Sequence, residues 1–309
     1  MYISFTGHAQ GGTYTVKLNL NGHDGMVAVS PEEIRDSVDA ILRNIDNSLS
    51  GYNKNSLLSR FNAGEQITPD TIVTDIYSHA VRILHETEGV VDAASGPLFD
   101  LWGFGFKSGD FPSDEEVRRV KESCGMEMMM TQNKGTLNYN AIAQGYSCDL
   151  VAEYLYSIGV KDMMVDSGEI FCDGLNPSGK PWGFGIDKPV DGNNELGAQL
   201  QGIFHTPEGP HGIVTSGNYR KFYIKDGKKY SHSIDPRTGY PVTHNLLSAT
   251  IVADDALTAD AYATYCMVVG LEESKTLLEN RPDLEGCLIY DENGEFKTWC
   301  SSGFVLEDL

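Results

Sequence analysis

Apolar positions along this chain follow two rhythms, with helical spacing prevailing up to Gly159. Ser30-Pro31-Glu32-Glu33 opens a helix, with a capping Ser, Pro in the first turn and Glu three residues after the cap. Ile34, Val38, Ile41, Leu42, Ile45 and Leu49 then recur at helical spacing and predict one amphipathic stripe. A second helix is expected from about Pro69 to Glu88, stopped by Gly89, and a short charged one after Ser113. Leu150, Val151, Tyr154, Leu155 and Ile158 mark a fourth, closed by Gly159. Ahead of these, Thr13–Leu20 alternates like a strand, with Asn21-Gly22 as its turn.

Beyond Gly159 the period shortens to that of strands. Met163–Val165, Trp182–Ile186 and Lys221–Lys225 read as strands, the last turning at Asp226-Gly227 into Lys228–Ser233. Leu246–Ala253 reads as a buried strand leading into a helix that carries Ala259 to Thr264. A further helix covers Leu271–Asn280, and Cys287–Trp299 forms a hairpin around Asn293-Gly294. Helices and hairpins interleave without regular βαβ alternation, so the expected class is α+β, with mixed or antiparallel sheets and flanking helices. No repeat, low-complexity tract or linker divides the 309 residues, and a single unit over 1–309 is expected.

Composition changes the picture through charge. Lys and Arg number 23 against 44 Asp and Glu, a formal charge of -21. Such a field repels nucleic acid and anionic membrane surfaces, so neither is an expected partner. It also repels a phosphate-bearing ligand unless a cation screens it. The six cysteines, Cys124, Cys148, Cys172, Cys266, Cys287 and Cys300, are scattered, with no CxxC and no Cys/His pairing at zinc spacing. They read as buried free thiols, with disulfides as the alternative that an even count leaves open. No apolar run reaches the length of a membrane span. The start, Met1-Tyr-Ile-Ser-Phe-Thr-Gly, has no basic region followed by an apolar stretch, so no signal peptide is read in it.

The chemistry concentrates late in the chain. Asp260 and Thr264 stand four apart in the predicted helix, which puts a carboxylate and a hydroxyl one turn apart on one face. Such a hard, oxygen-only pair suits Mg²⁺, which takes one or two protein carboxylates and completes its shell with water and substrate phosphates. The same spacing also occurs as plain polar decoration of a helix. About one hairpin earlier comes His232-Ser-Ile-Asp-Pro-Arg-Thr-Gly239. Several loops join these: Ser48 to Tyr52, Asp92 to Gly105, Asn140-Ala-Ile-Ala-Gln-Gly-Tyr146 opening a helix, Val165-Asp-Ser-Gly-Glu-Ile170 and Thr215-Ser-Gly-Asn-Tyr219. A helix start presents backbone N–H groups that can face an anion.

In this order and separation, HxIDPxTG, TSGxY and ADAxxT resemble the FAD:protein FMN transferase (ApbE-like) family, from about Gln10-Gly-Gly-Thr-Tyr14 to the tail. The resemblance implies an ApbE-like, T-fold-like unit that binds FAD and Mg²⁺, cleaves the pyrophosphate, attaches FMN through a phosphoester to a Ser or Thr hydroxyl of a target protein and releases AMP. Implied partners are acceptor subunits of membrane redox complexes, such as sodium-pumping NADH:quinone reductase. The implied location is the bacterial cell envelope outside the cytoplasmic membrane, often with a lipid anchor.

Matched by position, Asp260 and Thr264 are the implied side-chain metal ligands, Ala143 the carbonyl ligand, and His232 with Asp260 the catalytic pair. Implied ligand contacts come from Tyr52, Asp92, Gln144, Asp149, Ser167, Gly168, Asp235 and Thr238. Tyr52 reads either as a ring that stacks on the isoalloxazine or as a core aromatic. Asp235 reads as loop-orienting, since Asp-Pro also starts turns. His232 reads as the base for the acceptor hydroxyl or as a hairpin His satisfying backbone groups.

The chain departs from the family pattern at Gln144, where Lys is usual, at Asp166-Ser-Gly-Glu in place of Asn-x-Gly-Asp, and at Gly12, where Thr is common. A neutral amide gives a phosphate far less than an ammonium does, which bears on FAD affinity and on transfer against hydrolysis. Two other readings stand beside the transferase: an FAD pyrophosphatase yielding FMN and AMP, and a flavin-binding protein without catalysis.

Overall fold

The elements were traced in a computed structural model that describes residues 1–104, 111–132, 134–190, 197–218, 222–225, 228–231 and 233–309. The chain begins with strands β1 (Tyr2–Ala9) and β2 (Gly12–Asn19) and the short β3 (Asn21–Gly22) and β4 (Gly25–Met26). Among the described residues helices follow: α1 (Pro31–Leu49), α2 (Leu57–Asn62), α3 (Thr71–Glu86), α4 (Gly96–Leu101), α5 (Asp114–Lys121), α6 (Met126–Gln132) and α7 (Ala143–Ser157). Then come β5 (Met163–Asp166), β6 (Ile170–Asp173), β7 (Gly183–Asp187), β8 (Leu200–His205) and β9 (His211–Gly217). Two ribbons, β10 (Phe222–Lys225) with β11 (Lys228–Ser231) and β12 (Ile234–Asp235) with β13 (Tyr240–Pro241), precede β14 (Leu246–Ala253). Helices α8 (Ala256–Val269) and α9 (Leu271–Asn280) and strands β15 (Glu285–Glu292), β16 (Glu295–Cys300) and β17 (Leu306–Glu307) complete it.

The frame is an eight-stranded sheet in the order β1-β2-β5-β6-β9-β14-β15-β16, antiparallel at each pairing. This is the α+β architecture expected from the interleaved periods. Alternation along each strand sends side chains to two faces. Val165 on β5 joins the apolar cluster under α1, α3 and α7, whereas its neighbour Met164 joins the cluster under the three-stranded sheet β17-β8-β7. Helix α8 lies on β9 and β14 and against α7.

The predicted stripe on α1 is the observed one: Ile34, Val38, Leu42, Ile45 and Leu49 are buried, with Ile41 at the margin. Ser30 accepts from the Glu33 N–H while the Glu33 carboxylate accepts from the Ser30 N–H, a complete capping box. The β2 turn falls at His23-Asp24, two residues later than expected, because Asn21-Gly22 pairs with Gly25-Met26 instead. In the last hairpin Asn293 (φ 57°) and Gly294 (φ 85°) both adopt the left-handed conformation that a two-residue turn requires. The expected turn at Asp226-Gly227, the residue Lys221 and the candidate base His232 lie outside the described residues.

Candidate active site

Helix α8 supplies the centre of the site. Asp255 caps it, accepting from the Thr258 N–H at 2.7 Å. One turn in, Asp260 is 4% exposed, yet it and Thr264 both line a cavity of about 980 Å³. One Asp260 oxygen accepts from the Gly145 N–H at 3.2 Å, in the first turn of α7. Asp149, further along α7, returns the favour: its two oxygens accept from the Ala256 and Leu257 N–H groups, each at 2.8 Å, at the start of α8. The two helices thus exchange carboxylates at their N-termini, where backbone N–H groups lack intrahelical partners. Gly145 makes the crossing possible. A Cβ there would stand 2.6 Å from the Ala256 carbonyl carbon.

Burial raises both carboxyls. Asp149 is pushed up to about 7 by desolvation, which outweighs its two N–H donors. Asp260 is raised for the same reason, the nearby Asp149 charge adding to it and the Gly145 N–H opposing. Four carboxylates, Asp46, Asp92, Glu169 and Asp260, line the cavity, and among the described residues no Lys, Arg or His does.

The remaining walls come from segments distant in sequence. After α1, Ser50 accepts from the Asn53 N–H at 3.1 Å, folding the chain so that Tyr52 stands at the rim, 75% exposed. Tyr52 is therefore not a core aromatic. Asp92 lines the cavity while accepting from the Ala94 N–H at 2.7 Å and the Met126 N–H at 3.0 Å; burial raises its carboxyl. Ala143 and Gln144 enter from the start of α7. Gln144 Nε2 donates to the Ser167 carbonyl at 3.2 Å, across the turn that joins β5 to β6. Gly168 sits in that turn at φ 95°, and a Cβ on it would meet the Gln144 amide.

Other expected contacts stand outside the lining. The Ser167 carbonyl holds the Gln144 side chain, Gly168 leaves room for it, and Glu169 reaches the cavity. Asp235 pairs with the Arg237 guanidinium at 3.0 Å and its carbonyl accepts from the Gly239 N–H at 2.7 Å. Thr238 Oγ1 donates to that same carbonyl at 3.3 Å. These bonds fold the Asp-Pro-x-Thr-Gly loop, of which Pro236 lines the cavity together with the preceding Ser233 and Ile234. Asp149 is likewise spent on α8. Sequence reasoning had not singled out Gln10, Asp46, Asn53 or Glu169 as wall residues. Asn53 Nδ2 donates to Asp46 at 2.9 Å, a pairing around a helix end that no short motif announces.

The donor set can be judged against a divalent ion. It comprises a buried carboxylate lacking a cationic partner among the described residues, the Thr264 hydroxyl and the Ala143 carbonyl, all hard oxygens. Among the described residues no three His, Cys, Asp or Glu side chains gather into a metal cage. The three oxygens suit an ion that shares its shell with a ligand's oxygens.

Residues 11–288 match the ApbE family. The FAD:protein FMN transferase of Escherichia coli K12 is 34% identical over 298 residues, covering 91% of this chain and 83% of that protein. The one from Haemophilus influenzae is 33% identical over 321 residues, covering 98% and 90%. Among solved structures, the flavin transferase ApbE of Vibrio cholerae superposes with a TM-score of 0.81 at 30% identity, covering 99% of each chain. The apo form of the Pseudomonas stutzeri flavinyl transferase ApbE gives 0.83 at 30% identity, over 98% of this chain and 95% of that one. With sequence and backbone both agreeing from end to end, this chain belongs to the ApbE family.

Proposed function

We propose that the protein is a Mg²⁺-dependent FAD:protein FMN transferase, cleaving FAD, joining FMN through a phosphoester to a Ser or Thr hydroxyl of a target protein and releasing AMP. One observation carries the reading: a cavity of about 980 Å³ gathers Tyr52, Asp92, Ala143, Gln144, Asp260 and Thr264 from separate segments. Ligand cavities run from roughly 300 to 1,000 Å³, so a dinucleotide belongs at the upper end. The names of the relatives support the reaction, and the acidic lining supports a metal requirement.

Asp260, Thr264 and the Ala143 carbonyl would hold Mg²⁺, which when bound supplies the positive charge that a pyrophosphate needs among four wall carboxylates. Phosphoryl transfer asks for positioning more than for covalent help from the protein. Tyr52 offers a ring face at the rim for the isoalloxazine. Gln144, its amide tied to the Ser167 carbonyl, shapes the floor without adding charge. His232 is assigned the acceptor hydroxyl's proton, supported by its neighbours Ser233 and Ile234 on the wall and by the general suitability of histidine for proton transfer.

By family resemblance, the acceptors are subunits of membrane redox complexes, met on the outer side of the cytoplasmic membrane. No helix among the described residues is long and apolar enough to cross a membrane. The test is incubation with FAD, Mg²⁺ and an acceptor domain, read as a fluorescent band that survives denaturation, with AMP released in equal amount. FMN and AMP without a labelled acceptor would make the protein an FAD pyrophosphatase. Unchanged FAD would make it a flavin carrier.

A further inference from the structure

Away from the cavity, the last hairpin sets two thiols opposite each other. Cys287 on β15 and Cys300 on β16 are direct partners in the antiparallel register. At the adjoining pair the Ser301 N–H donates to the Gly286 carbonyl at 2.9 Å, so that pair is of the hydrogen-bonded kind. The two kinds alternate along an antiparallel ladder. Cys287 and Cys300 therefore form a non-hydrogen-bonded pair, where Cα atoms lie about 4.5 Å apart and side chains come closest. That separation lies within the roughly 4.4–6.8 Å over which a disulfide closes without moving the backbone. Both side chains face the three-stranded sheet and share its apolar cluster. As they stand, both are free thiols.

The two are not equivalent. Cys287 is fully buried, while Cys300 is partly open to solvent. Contact between them holds the Cys300 thiol below its usual range and, together with burial, pushes Cys287 well above it. The accessible sulfur is thus the better thiolate, and the buried one sits where a resolving thiol belongs.

We propose that Cys287 and Cys300 are a redox modification site that closes into a cross-strand disulfide on reaction with a small-molecule disulfide such as oxidised glutathione. The Cys300 thiolate attacks one glutathione sulfur, giving a mixed disulfide and one glutathione thiolate. Cys287 then gives up its proton and attacks Cys300 Sγ, forming the internal bond and releasing the second glutathione. The protein loses two electrons and the oxidant becomes two thiols. The bridge ties β16, the end strand of the sheet, to its neighbour. End strands carry unpaired backbone and are where sheets fray or recruit foreign strands. Neither cysteine lines the cavity, so the bridge acts on the sheet and not on the chemistry.

Lys297 lies between the two cysteines, so trypsin separates them. The folded protein is incubated with oxidised glutathione, its remaining thiols are alkylated, and its peptides are mapped without reduction. The expected product links the Cys287 and Cys300 peptides, with the intact chain lighter by two hydrogens and its melting temperature raised by several degrees. A Cys300→Ser variant is expected to show neither change. A lasting glutathione adduct on Cys300 with Cys287 still alkylatable after unfolding, or a bridge from Cys287 to Cys172, would overturn the proposal. No readout uses FAD, so the outcome is independent of the functional reading.

Discussion

Helix α1 buries six of its nineteen residues, whereas α8 buries eleven of its fourteen, and the polar residues of the two have different work. On α1 most polar residues meet water, with Asp46 near its end reaching the cavity, and Ser30 and Glu33 start the helix. On α8, walled by β9, β14 and α7, a charged side chain survives only where something offsets its desolvation. Asp260 is that side chain, and it stands where the surrounding walls open into a large cavity. A carboxylate is informative in proportion to what its burial costs. The contrast separates side chains that hold the fold, such as Ile34 on α1, from a carboxylate that the core does not need.

That division can be broken experimentally. Asp260→Asn keeps the shape and an oxygen acceptor for the Gly145 N–H but removes the charge. It is expected to lower the acceptor-labelling rate by ~10³-fold or more, equal to ~4 kcal/mol of barrier, with the thermal melt preserved. Wild-type rates at limiting Mg²⁺ would reduce Asp260 to a core residue and erase the contrast. Ile34→Ala on the buried face of α1 should do the reverse, costing ~3 kcal/mol in denaturant unfolding while kcat per folded molecule stays unchanged.

Two smaller effects sharpen the picture. Gly145→Ala drives a methyl into the Ala256 backbone at the α7–α8 crossing. About 2 kcal/mol of stability should be lost, together with FAD affinity measured by fluorescence titration, because the crossing also sets the cavity floor. A loss of stability without any loss of affinity would detach the crossing from the site. Ser30→Ala removes only the α1 cap and should cost about 1 kcal/mol, with no change in FAD binding.

Legibility in the sequence follows the same line. The α1 stripe and its box, the last hairpin and strand β14 were readable because one face is wet or because the run is uniformly apolar. Strand β14 begins and ends where expected, at Leu246 and Ala253, and α9 matches at Leu271–Asn280. Helix α8 shows no amphipathic period, being buried on nearly all sides, and was placed through the Asp260–Thr264 spacing and the strand before it. Strands β1 and β8 carry Gly and His within their runs and give no clean sequence signal.

At the site, motif matching brought Tyr52, Asp92, Ala143, Gln144, Asp260 and Thr264 to one cavity. It could not distinguish residues facing the ligand space from those shaping its walls. Asp149, Asp235 and Thr238 hold backbone and Arg237. That distinction depends on where each carboxylate finds its donors, which is a property of the folded chain and not of any short segment.

The exchanged carboxylates of α7 and α8 carry a mechanical consequence. Each helix is pinned at its first turn by a group belonging to the other, so neither slides nor rotates without unmaking both clasps. Any give in the cavity wall is therefore expected at its solvent-facing lip, while the base keeps its geometry through thermal motion. In amide exchange that base should be among the slowest regions, and the lip among the fastest.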